Sequence, residues 1–91
     1  MPDSTQIHRA PLVVLKLEEI SRARLEEVCV YGIYRRSGIE PRSALSGSPV
    51  WENGRWIWDG LTVLSGKTPV SFRCTVTGST VFDASAAVEF R

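Results

Sequence analysis

The dipeptide Asn53-Gly54 constrains this chain more than any other feature. It lies between two short runs rich in strand-forming residues, Val50-Trp51-Glu52 and Arg55-Trp56-Ile57-Trp58. Asn-Gly suits both central positions of a tight type I′ turn, whose twist matches that of paired strands. A hairpin is therefore expected, with Trp51 opposite Trp56 and Glu52 opposite Arg55. Asp59-Gly60, four residues on, has the same chemistry and predicts a second turn. The two together predict a three-stranded meander over 50–52, 55–58 and 61–64.

Side chains alternate faces along a strand. In this register Trp51, Trp56, Trp58, Leu61 and Val63 share one face. Val50, Glu52, Arg55, Ile57, Thr62 and Leu64 share the other. The uniformly apolar face is the one to bury, and three tryptophans cover much of a small core, at roughly 150–250 Å² each. The tryptophans thus read as core, with a surface aromatic platform as the alternative. The mixed face leaves Val50, Ile57 and Leu64 as candidates for a partner contact, unless another element covers them.

Two further segments alternate cleanly. Val70, Phe72, Cys74 and Val76 oppose Ser71, Arg73, Thr75 and Thr77. Phe82, Ala84, Ala86, Val88 and Phe90 oppose Asp83, Ser85, Glu89 and Arg91. Both read as half-buried antiparallel strands. An odd-length bulged connection around Gly78 keeps their apolar faces together. The second strand reaches the last residue and offers an edge for pairing with another chain.

Before the hairpin, Leu12 to Leu17 is an apolar run of strand length. Ser21 caps a helix that opens with Arg22, Ala23 and Arg24, and Ile20 and Leu25 form a hydrophobic staple. The helix has two readings. It runs to Arg36 with Gly38 as its cap, or it stops near Val28 and Cys29 to Arg36 forms a strand. Val30, Tyr31, Ile33 and Tyr34 prefer strands, and Gly32 inside a helix costs about 1 kcal/mol against Ala. The short helix over 20–28 is the favoured reading. Residues 39–49 form a loop long enough to be a functional candidate.

The expected fold is α+β: a mainly antiparallel meander of five to six strands, able to close into a small barrel, with one short N-terminal helix. Residues 1–10 read as a flexible N-terminus and 11–91 as a single small domain.

Chemistry is excluded more readily than assigned. Ser65 to Thr68 reads SGKT, but Gly60 stands one residue too far from Gly66 for a phosphate-binding loop, and Pro69 with a strand follows where a helix is needed. The single histidine, His8, lies in the N-terminus, away from any Ser-His or Cys-His pair. Cys29 and Cys74 match no metal or redox spacing. They read as buried thiols, with a disulfide as the alternative in an oxidising compartment. The adjacent acids Glu18-Glu19 and Glu26-Glu27 do not converge on a helix. No catalytic residue, cofactor or metal is expected. No apolar run is long enough for a membrane span or a secretory signal, so a cytoplasmic location is expected, with a mature protein whose signal was removed as the alternative.

Nine arginines and two lysines balance ten acids to a net charge of +1, unlike the strongly basic balance of most nucleic-acid binders. Arg35, Arg36 and Arg42 still cluster near Tyr31 and Tyr34, an interleaving that single-strand grooves use. The leading expectation is a non-enzymatic protein-binding or assembly module: an inhibitor, an adaptor, or a subunit of a viral or multiprotein complex. Its contacts fall among Arg35, Arg36, Arg42, Val50, Ile57 and Leu64, with a protein partner or self-association. The alternative is a small nucleic-acid-binding β-barrel using the Arg and aromatic surface. A third option is a hydrolytic site in the 39–49 loop, with Ser43, Ser46 or Ser48 as nucleophile.

Overall fold

The computed structural model describes residues 15–41, 44–64 and 68–91. Residues 1–10, the first half of the strand expected over 12–17, Arg42, Ser43 and most of SGKT lie outside them; the described second half forms no strand, only an isolated bridge of Lys16 to Thr80 before a 3₁₀ turn. A 3₁₀ turn at Leu17–Glu19 precedes helix α1 at Arg22–Ser37. Four strands follow: β1 at Pro49–Glu52, β2 at Arg55–Thr62, β3 at Val70–Thr77 and β4 at Ser85–Phe90. They form one antiparallel sheet in the order β1-β2-β3-β4. The α+β class is thus correct, but among the described residues the sheet has four strands and is open, and a barrel of five or six is not formed.

The hairpin forms as its turn chemistry requires. Asn53 and Gly54 both take positive φ, 52° and 76°. Trp51 pairs with Trp56, and Glu52 with Arg55. The second expected turn is absent. β2 runs unbroken through Asp59-Gly60 and pairs along its length with β3. Gly60 is there for a close approach: a Cβ on it would collide with the Ser46 carbonyl oxygen and meet the Phe72 ring at 3.3 Å. With no turn, the later register shifts. Thr62 is buried and Leu61 is exposed, the reverse of the expectation, and Leu64 packs against the core from beyond the end of β2.

Helix α1 is a single sixteen-residue helix, so the short helix followed by a strand is corrected. Ser21 caps its start by accepting from the Arg24 N–H at 3.1 Å. Ile20 and Leu25 are both buried, as the staple demands. Gly38, in the left-handed region, ends the helix and donates to the Tyr34 carbonyl. Gly32 is tolerated mid-helix because the helix needs it. A Cβ there would stand 2.9 Å from both Ala86 Cβ and Val88 Cγ2. The missing side chain lets α1 lie close against β4.

The core lies between α1 and one face of the sheet. Leu25, Cys29 and Ile33 from the helix meet Trp58, Phe72, Cys74, Val76 and Val88 from the strands. Cys29 and Cys74 are fully buried and joined by a disulfide, Cα to Cα 6.0 Å. The expectation of two separate thiols is corrected. The bond fixes the middle of the helix to the middle of β3. No described element covers the other face of the sheet, an arrangement that antiparallel sheets permit.

β4 begins later than the alternation suggests. Phe82 is 72% exposed, because residues 79–83 form a turn around Asp83. That carboxylate accepts from the Ser79 and Thr80 N–H groups and the Thr80 hydroxyl. These donors favour the charged form and hold Asp83 below the ordinary aspartate pKa.

Candidate functional site

The tryptophans are core rather than platform. Trp58 is fully buried, and its Nε1–H donates to the Ser46 carbonyl at 2.9 Å. Trp56 Nε1–H donates to the Leu17 carbonyl, also at 2.9 Å. Trp51 and Trp56 are half-buried and meet edge to face, centroids 5.4 Å apart. Arg22 lies over the Trp58 ring at 5.0 Å and donates to the Gly47 carbonyl.

The described part of the 39–49 loop is the cover over this ring. Leu45 is buried, and its N–H donates to Glu26 Oε2. The Ser46 hydroxyl accepts from the Leu61 N–H at 2.9 Å. A hydroxyl so held, with no base bonded to it among the described residues, acts as a structural clip between the loop and β2. Ser48 is exposed, and Ser43 lies outside the described residues. Among the described residues, no group of three or more His, Cys, Asp or Glu side chains could hold a metal ion. No described helix is long and apolar enough to cross a membrane.

The expected contact residues divide between two surfaces. Val50 and Ile57 pair across β1 and β2 on the sheet face away from α1; Val50 is 54% exposed and Ile57 half-buried. Asp59 and Arg73 lie on the same face and form a forked ion pair, 2.7 and 2.9 Å. The guanidinium lowers the Asp59 pKa, and the carboxylate raises that of Arg73. Glu52 and Arg55 are opposite in register, yet the ion pair forms further along the sheet. Leu64 is not part of this face, and Arg42 lies outside the described residues.

Arg35 and Arg36 are elsewhere, in the last turn of α1, where any cation gains about 0.3–1 kcal/mol from the helix dipole. They line a groove of about 670 Å³ between α1 and β4. The volume falls within the ~300–1,000 Å³ typical of ligand sites. Its helix wall includes Val28, Tyr31 and Gly32, and its other wall is the run Ala84 to Val88. A shallower recess on the far side of Tyr31 is lined by Val30, Tyr34 and Glu40.

β4 is a terminal strand of the sheet. Arg91 N–H donates to the Ser71 carbonyl at 2.9 Å, so odd-numbered residues of β4 bond to β3. Antiparallel alternation then turns the N–H and C=O of Ala86 and Val88 away from β3, toward the free edge. The groove thus joins a row of backbone donors and acceptors that no strand pairs among the described residues to a partly apolar helix wall. Sequence reading found the edge and the two arginines separately. Their junction is not legible while Cys29 to Arg36 reads as a strand.

No family model matches the chain, and comparison with curated proteins and with solved structures gives no match.

Proposed function

We propose that this domain is a non-enzymatic protein-binding module that takes an extended segment of its partner as an added strand on β4. One observation carries the reading: the edge of β4 borders a groove walled by α1, and the N–H and C=O groups of Ala86 and Val88 are directed to the edge. Strand addition draws affinity from such main-chain groups and selectivity from neighbouring side-chain pockets. The small residues Ala84, Ser85, Ala86 and Ala87 allow a close approach.

The Cys29–Cys74 bond supports an oxidising compartment in place of the cytoplasmic expectation, since buried structural disulfides persist where thiols are not kept reduced. Both cysteines sit at the centre of the core, where the bond strengthens a domain of limited size.

The test uses a displayed library of random linear peptides against the oxidised domain and its Ala86→Pro variant. Proline is compatible with an edge position whose N–H faces out, and circular dichroism checks the fold. Peptides enriched on the domain and lost on the variant, with amide shifts confined to Ala84–Val88 and the facing helix, support the reading. No enrichment, or enrichment indifferent to Ala86→Pro in a folded variant, rejects it.

A further inference from the structure

We infer that the groove selects its occupant by charge: the segment that adds to β4 carries an acidic side chain onto Arg35 and Arg36. The inference rests on the strand-addition reading above and names the partner's chemistry.

Three arginines, Arg24, Arg35 and Arg36, line the groove against one acid, Glu27. Arg24 Nη1 pairs with Glu27 Oε1 at 2.9 Å, which cancels one charge of each sign. The other ion pair among the described residues, Arg73 with Asp59, lies on the sheet face away from α1. Among the described residues, the two positive charges of Arg35 and Arg36 therefore form no ion pair at the groove. Arg35 is held over the Tyr31 ring, 5.8 Å to its centroid. Stacking of this kind orients the planar fork before a carboxylate arrives and so lessens the ordering cost of binding.

The rest of the wall fixes the remainder of the pattern. Val28, Tyr31 and Gly32 offer apolar contact with no free charge. A strand laid along Ala84–Val88 spans roughly 13 Å, and alternate side chains turn to one side. Those facing α1 meet Val28 and Tyr31 and should be apolar. One in reach of Arg35 and Arg36 should be Asp or Glu. A phosphate backbone would also be attracted, but it offers no regular N–H and C=O pattern to Ala86 and Val88 and gains nothing from the strand edge. A strand-forming acidic peptide uses both walls.

The experiment measures fluorescence anisotropy of labelled peptides that alternate valine with glutamate, glutamine or lysine, alongside a labelled single-stranded thymidine oligonucleotide. The oxidised domain should bind the glutamate peptide at least about tenfold more tightly than the lysine peptide, with affinity that weakens as salt rises. The Arg35→Glu/Arg36→Glu variant should reverse that order, and Arg35→Gln/Arg36→Gln should erase it. All substituted side chains are exposed, and circular dichroism confirms the fold. Equal binding of the three peptides, lost on Ala86→Pro, overturns the charge inference and leaves strand addition standing. Binding of the oligonucleotide with none of the peptides overturns both and favours the nucleic-acid reading. Binding of no probe also overturns both.

Discussion

The Cys29–Cys74 bond makes the most demanding prediction about stability. The cysteines are separated by 45 residues. Closing a loop of that length in the unfolded chain removes conformational entropy equivalent to about 4 kcal/mol at 25 °C. A domain of 91 residues has a total stability on the order of 5–14 kcal/mol. Loss of the bond therefore removes a large share of the total. Reduction isolates this effect better than mutation, because both sulfurs remain in the core and no cavity opens. With an m-value of about 1–1.5 kcal/mol/M, the urea midpoint should fall by roughly 3–4 M. The assay is urea unfolding followed by tryptophan emission, on oxidised protein and on protein reduced in denaturant and refolded with reductant. Emission of the folded state should be blue, since Trp58 is fully buried. Thiol titration of the denatured oxidised protein should find no free cysteine. Two free thiols in protein made under oxidising conditions would refute the pairing. Equal midpoints for protein shown by mass to be oxidised and reduced would refute the energetic reasoning.

Gly32→Ala should destabilise by up to about 2 kcal/mol in thermal or urea unfolding. A gain of about 1 kcal/mol in helix propensity is outweighed by overpacking against Ala86 and Val88; a raised melting temperature would contradict the close packing. Thr62 is 2% exposed, and its Oγ1 has no hydrogen-bond partner among the described residues. Thr62→Val should therefore raise stability by about 1 kcal/mol, and a lowered urea midpoint would mean the hydroxyl is bonded. Asp59 has its pKa lowered by Arg73, so its contribution is present above the ordinary aspartate pKa and is lost as pH falls through the folded value. A carbon-detected titration should place the Asp59 midpoint below that of an unpaired aspartate, and Arg73→Gln should return it toward normal.

The parts of this fold that were legible are those in which local chemistry and tertiary structure agree. Asn53-Gly54 reads as a turn because both residues accept positive φ, and nothing distant overrides it. Ser21 reads as a cap because its hydroxyl needs only Arg24 N–H, three residues away. Val70 to Thr77 reads as a strand because one side of it faces the core. The misread parts are those in which a distant neighbour decides. Asp59-Gly60 has the composition of a turn, but its glycine makes room for Ser46, brought over the sheet by the loop that caps Trp58. Gly32 has the appearance of a helix breaker, but it makes room for β4, more than fifty residues later. Phe82 continues an alternation that Asp83 interrupts by capturing the amides of Ser79 and Thr80.

These misreadings converge on the groove. A helix that stopped at Val28 would leave the region of β4 without a wall, and Arg35 and Arg36 would belong to a strand. Because Gly32 carries no side chain, α1 continues beside β4, and the two arginines come to stand beside a strand that ends the described sheet. A backbone edge alone would accept any strand, including a second copy of this chain, and would be an aggregation hazard. A charged wall beside it penalises segments of the wrong sign as well as attracting the right one. The close contact at Gly32 thus packs the helix onto the sheet and, on the proposed strand-addition reading, places Arg35 and Arg36 where they would make the β4 edge selective. Substitution at Gly32 should therefore weaken peptide binding even where the domain still folds, a coupling that neither a purely structural glycine nor a charge-blind edge predicts.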